Sequence, residues 1–218
     1  MPFQTDNKLL TLAMKRSFVL LSGAAMLLLG VASCSSKSDS VAQAQDANND
    51  KMGITNADTT VTTAKTGGGE QRPAFDSEFM TKAASGGMLE VQLGQQVAQK
   101  ATTPDVKQFA QQMVTDHTKA NNELKALATQ KNITLPTTLG AEQQKVYDEV
   151  LAEKGADLDK KYVSAMLTDH QEDIKQYQEA VTKAGDTDLK TYAQQNLPVL
   201  QMHLGMLQKI QPVVEAKK

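Results

Sequence analysis

The chain has 218 residues, 40% hydrophobic and only 4% aromatic, with no tryptophan and a formal net charge of −2. That length holds one ordinary domain plus extra segments, and so balanced a charge gives no nucleic-acid-binding surface. Abundant Ala, Leu, Gln, Lys and Glu favour helices over sheets, and the single cysteine excludes an internal disulfide framework or a cysteine-built zinc site.

In chain order, Lys15-Arg16 is a short positive region, residues 18–30 (FVLLSGAAMLLLG) form an apolar run, and Val31-Ala32-Ser33-Cys34 follows directly. The run has signal-peptide length and is too short to span a bilayer. VASC resembles the bacterial lipobox, in which the cysteine is lipidated and becomes the mature N-terminus. The resemblance implies export and a lipid anchor at Cys34. Ser35, in place of an aspartate, points to the outer membrane, with the folded part in the periplasm or at the cell surface. The positive region begins at Met14, so residues 1–34 read as an upstream extension plus a signal peptide.

Residues 35–74 are Ser, Asp, Ala, Asn, Thr and Gly with scattered Val41, Met52, Ile54 and Val61. Such a stretch buries too little apolar surface to offset the entropy of ordering, and it is predicted to be a disordered tether with a reach of about 35 Å. Gly67-Gly68-Gly69 has no preceding strand and no following Lys-Ser/Thr, so it is not a phosphate loop.

Residues 75–212 carry four long helical patterns, and 213–218 form a tail. The first runs from Asp76 to Lys100 with Phe79, Ala83, Gly86, Glu90, Leu93 and Val97 on one face. Thr102-Thr103-Pro104-Asp105 ends it and opens the second, which continues to Lys131. Its stripe is Val106, Ala110, Met113, His117, Ala120, Leu124 and Leu127, alternating by four and three. Gly87 in the first helix has two readings: close helix packing, or space cleared for an imidazole.

Residues 133–155 connect the halves, broken at Pro136 and Gly140, with a short helix from Ala141 to Lys154 facing Val146, Val150 and Leu151 inward. The third long helix spans Ala156 to Ala184 (Tyr162, Ala165, Met166, His170, Asp173, Tyr177, Ala180), and the fourth Thr187 to Gln211 (Leu189, Tyr192, Asn196, Leu200, His203, Leu207, Ile210). Pro198 removes a backbone hydrogen bond and is predicted to kink the fourth helix a turn before His203.

The chain also repeats. A shift of 83 positions lays KATTPDVKQFAQQMV (100–114) over KAGDTDLKTYAQQNL (183–197), placing Asp105 on Asp188 and Phe109 on Tyr192; carried upstream, Glu90 falls on Asp173. Two copies of a helical hairpin imply a four-helix bundle whose long crossover contains the short helix.

All three histidines, His117, His170 and His203, lie on apolar seams, and Glu90 and Asp173 lie on or beside them. Counting outward from each turn puts Glu90 level with His117, and His170 level with His203. If the hairpins pack in opposite senses, these levels lie about 20 Å from one end and 24 Å from the other at ~1.5 Å per residue, so both pairs meet near mid-height.

Nitrogen and carboxylate ligands from four helices suit a transition metal: iron, copper, zinc or manganese. The same layer also reads as a metal-free register device, with neutral histidines bonded to Glu90 and Asp173. Haem between two facing histidines is a third reading. Asp116 and Asp169 point about 100° away from the histidines they precede and are predicted to be solvated. Met113, Met166, Met202 and Met206 read as core filler, with copper left open. No Gly-x-Ser-x-Gly, Cys-His pair or HExxH is present, so an enzyme is the weaker reading.

FMTKAASGGMLEVQLGQQVAQKA, VKQFAQQMVTDHTKANNELKALA, YVSAMLTDHQEDIKQY and LKTYAQQNLPVLQMHLGML together resemble the domain-of-unknown-function 4142 family over residues 75–211. The resemblance implies an all-α, ferritin-like four-helix bundle and an exported or outer-membrane location, and it implies no reaction. The paired Glu-x-x-His signatures of ferritins are missing: Met113 stands four residues before His117, and Val199 and Leu200 precede His203. A single histidine-rich site built from Glu90, His117, His170, Asp173 and His203 is expected instead of a di-iron centre. The alternative function is a metal-free structural or envelope-stress interaction module.

Overall fold

The computed structural model describes residues 39–54 and 71–217. Among these are six helices and no strand: α1 (Ser40–Met52), α2 (Gln71–Lys100), α3 (Pro104–Gln130), α4 (Ala141–Ala152), α5 (Gly155–Lys183) and α6 (Thr187–Glu215). The proposed lipidation site Cys34 and the signal-peptide residues lie outside the described residues, as do 55–70 of the expected tether.

The four long helices form an all-α bundle. α2 pairs with α3 and α5 with α6 along their lengths, while α2 rests on α5 and α3 on α6. Pro104 opens α3, where its missing N–H is not needed. Asp186 opens α6 by accepting from the N–H groups of Asp188 and Leu189. α6 continues as helix across Pro198 and Pro212 to Glu215, beyond the predicted end at Gln211.

The hairpins lie head to toe. Asp159, near the start of α5, is fully buried and accepts from the N–H groups of Thr102 and Thr103 (3.1 and 2.7 Å) and from both threonine hydroxyls (2.7 and 2.6 Å) in the α2–α3 turn. Asp76, near the start of α2, accepts from the N–H groups of Gly185 and Asp186 (both 2.9 Å) in the α5–α6 turn. Asp76 and Asp159 are repeat partners, and so are the turns they hold. Each hairpin thus supplies the carboxylate that satisfies the backbone of the other's turn, where unpaired N–H groups would otherwise be stranded.

The apolar core divides in two. One part gathers Leu93, Val97, Phe109, Met113, Tyr162 and Leu207 near the α2–α3 turn. The other gathers Phe79, Met80, Leu124, Tyr177, Tyr192 and Leu200 near the α5–α6 turn. Burial of each large side chain contributes roughly 1.5–3 kcal/mol, and the level between the parts belongs to polar side chains. α4 lies across α2 and α5 with Val150 fully buried and Val146 and Leu151 partly so.

Residues 40–52 differ from the disordered tether expected of them. They form α1, capped by the Asp39 side chain at Val41 N–H and closed by Gly53 in the left-handed region (φ 71°). α1 packs on α2 and on the loop after α3. Asn48, 2% exposed, exchanges two hydrogen bonds with the Thr134 backbone (2.7 and 3.0 Å), and Lys51 donates to the Asn132 carbonyl (2.9 Å). Amide-to-backbone bonds anchor this segment, and an apolar stripe is not what holds it.

Gly87 does not clear space for an imidazole: a Cβ there would collide with the Asn121 side chain from α3. Gly94 marks the tightest α2–α3 approach, where a Cβ would stand 3.0 Å from the Ala110 carbonyl.

Replacing Asp159 with alanine strands two backbone donors and two hydroxyls in a buried turn. At about 1–3 kcal/mol for each donor left unpaired, D159A is expected to lower unfolding stability by about 2–4 kcal/mol, and D76A by less, since only two N–H groups depend on Asp76. Urea denaturation of both variants checks the size and the order.

Candidate metal centre

The polar level between the core halves is built by one residue or more from each long helix. α2 supplies Glu90, α3 Asp116 and His117, α5 Asp169 and His170, and α6 His203. Glu90, His117, His170 and His203 are 1%, 6%, 0% and 0% exposed. The imidazole centroids stand 5.2, 5.4 and 5.6 Å apart, and Phe109 meets the His203 ring edge-on.

Each imidazole turns one nitrogen outward to a carboxylate. His117 Nδ1 lies 2.6 Å from Glu90 Oε2. His203 Nε2 lies 2.8 Å from Asp116 Oδ2, which also accepts from Gln112 (2.7 Å). His170 Nδ1 faces Glu90 Oε1 at 3.6 Å and Asp169 Oδ2 at 3.8 Å. The remaining nitrogens turn inward: His170 Nε2 and His203 Nδ1 are 3.4 Å apart, and His117 Nε2 is buried without a partner. One nitrogen from each of the three lies within 4.8 Å of the others. Each ring thus sets one nitrogen against a carboxyl group and turns the other toward its two neighbours, the arrangement in which orienting partners hold metal-ligating imidazoles.

Five buried side-chain atoms at this level have no hydrogen-bond partner: Glu90 Oε1, His117 Nε2, Tyr162 Oη, Asp169 Oδ2 and His170 Nδ1. Unpaired buried polar atoms each cost about 1–3 kcal/mol, so this level is where a shared proton, a water or a bound ion would be most stabilising.

Burial governs the protonation states. It holds His117 down at about 4, against a weaker opposing pull from Asp116. It pushes His170 well below the ordinary range, helped by the neighbouring imidazoles, and lowers His203 against its bond to Asp116. Burial also raises Glu90 well above its usual value, with Asp173 adding repulsion, and raises Asp169, with Glu90 adding repulsion. In the metal-free centre burial thus disfavours the charged forms of the imidazoles and of Glu90 and Asp169 alike.

Of the five residues predicted from sequence, Glu90, His117, His170 and His203 come together and Asp173 does not join them. Asp173 is half-buried one turn further along α5 and lines a surface cleft beside Glu172 and Gln176. Asp169, four residues earlier on the same face, takes its place against His170. Glu90 is foremost the orienting partner of His117. Asp116 and Asp169 are not solvated as predicted: Asp116 reaches across to His203 on α6, and Asp169 buries Oδ2. Tyr162 was legible only as a seam aromatic. The available signal was the Asp-His dipeptide on both α3 and α5. Met113 and Met166 belong to the apolar cluster near the α2–α3 turn, Met206 packs against it, and Met202 is 46% exposed.

A family model described as "Domain of unknown function (DUF4142)" matches residues 61–210. No curated protein and no solved structure matches the chain.

The protonation states set a pH dependence for the chelated protein. Histidines with depressed values contribute stability that is complete above about 6.5, their unfolded value, and is lost as pH falls toward about 4 for His117. Glu90, with a raised value, contributes stability that is complete below 4.5 and is lost as pH rises through its folded value. Above pH 6.5 the histidines add no further change, so the loss of stability on raising the pH beyond it is expected to be smaller in Glu90→Gln than in wild type; urea midpoints with chelator present read both slopes.

Proposed function

We propose that this chain, which belongs to the DUF4142 family, is a metal-binding helical bundle that holds a transition-metal ion on His117, His170 and His203. The observation carrying this reading is the convergence of three imidazole nitrogens within 4.8 Å inside the core, each ring backed by a carboxylate. A register layer alone accounts for paired side chains. It does not account for an inward His117 nitrogen left without a partner. Three neutral imidazoles favour zinc, copper, iron or nickel over magnesium, calcium or manganese. Glu90 and Asp116 hold the rings in place, and a bound ion favours the charged form of Glu90 that burial alone opposes.

The proposal extends to location. The order of charged region, apolar run and Val31-Ala32-Ser33-Cys34 supports export and lipid attachment at Cys34, with the bundle held at a bacterial envelope membrane. No described helix is long and apolar enough to cross a membrane, so within the described residues nothing competes with that anchor.

Purified full chain, stripped with chelator and titrated with cobalt(II), is expected to bind with the visible ligand-field bands of a nitrogen-rich site and to melt at a higher temperature. His117→Ala/His203→Ala is expected to abolish those bands while keeping its helical circular dichroism. Asp116→Asn is expected to weaken binding by about 10–100-fold, as loss of an orienting partner does. Absence of binding by cobalt, zinc and copper alike to folded wild type refutes the reading.

A further inference from the structure

On the far side of His170 from the other imidazoles, three more buried atoms converge. Nδ1 of His170 stands 3.6 Å from Glu90 Oε1 and 3.8 Å from Asp169 Oδ2, beyond hydrogen-bond distance of either, and the two carboxyls lie against each other. One atom from each residue lies within 4.8 Å of the others. His170 and Glu90 are 0% and 1% exposed, so bulk water does not satisfy them. A proton shared between the two carboxyls serves one contact; a cation serves all three at once. The unpartnered Tyr162 hydroxyl lies near the same two carboxylates, whose charges both oppose its ionisation.

Asp169 also has an outward side. Its side chain is 20% exposed and lines a cleft with Asp39, Glu142, Glu172 and Asp173. Carboxylates on the walls of a cleft concentrate cations. Gly86 lines the same cleft, and a Cβ there would meet nothing within 4 Å, so the space beside Asp169 is open.

The geometry points to a second cation position, formed by Glu90, Asp169 and His170 Nδ1, that shares the His170 ring with the three-histidine position and opens onto the acidic cleft. The shared ring rests on the three-histidine reading; the second position rests on its own three ligands. With both positions filled, His170 gives Nε2 to one ion and Nδ1 to the other. Its ring proton passes to solvent, and the imidazolate bridges the two ions. Two carboxylates and one nitrogen make this the harder of the two sites, suited to a divalent first-row ion.

Copper(II) added to chelated full chain tests both positions, with bound copper counted after desalting and spins integrated by electron paramagnetic resonance. Wild type is expected to hold two equivalents whose signal integrates to well under two spins, because the imidazolate couples them. Asp169→Asn is expected to hold one equivalent with one full spin, and His117→Ala to hold one equivalent at the second position. Asp169→Ser, checked by circular dichroism, replaces the asparagine variant if that variant misfolds. One equivalent in wild type and Asp169→Asn alike overturns the second position and leaves the three-histidine site standing. A second equivalent that survives Asp169→Asn also overturns it, and two equivalents giving two full spins overturn the shared ring. No bound copper in wild type removes both positions.

Discussion

Two buried carboxylates set the register from which everything at the centre follows. Asp159 and Asp76 each bind the backbone of the opposite hairpin's turn, so neither hairpin can slide along the other without breaking these bonds, the one to the buried Thr103 N–H above all. A shift of one helical turn moves a side chain about 5.4 Å. That exceeds the 4.8 Å within which the three imidazole nitrogens converge, so the same bonds that close the ends also level the middle.

With the register fixed, the core cannot be apolar throughout. The apolar clusters at the two ends leave a layer in which desolvation acts on every titratable group. Burial there disfavours the charged forms of the imidazoles and of Glu90 and Asp169. Under the metal-binding proposal a divalent cation would compensate the carboxylates and give the inward His117 nitrogen a partner. Binding and stability would then draw on the same groups.

The long helices were legible in the sequence because burial repeats every 3.6 residues. Counting from the turns paired Glu90 with His117 and His170 with His203, because antiparallel neighbours keep step from a shared turn. What escaped lacked such a period. α1 docks through Asn48 and Lys51 onto backbone groups of a distant loop, and nothing in its composition announces those partners. Asp159 and Asp76 look like ordinary acidic residues of a first helical turn. Asp116 was judged against His117, its neighbour in sequence, whereas its partner His203 is on another helix.

The repeat also shows where the symmetry of the frame ends. Asp76 and Asp159 retain their shared role, as do the turns they bind, so the two hairpins remain equivalent at their ends. At the centre the equivalence is broken. The positions matching His117, His170 and His203 under the 83-residue shift are Leu200, Gly87 and Ala120, and the match of Glu90 is the half-buried Asp173. Leu200 fills its side with apolar volume, and Asn121 occupies the space beside Gly87. A centre built equally from both repeats would need histidine-bearing positions on each; here α3 contributes one imidazole, α5 and α6 one each, and α2 none. The duplicated hairpins supply a symmetric scaffold, and the histidines break that symmetry, His117 standing on the first hairpin and His170 and His203 on the second.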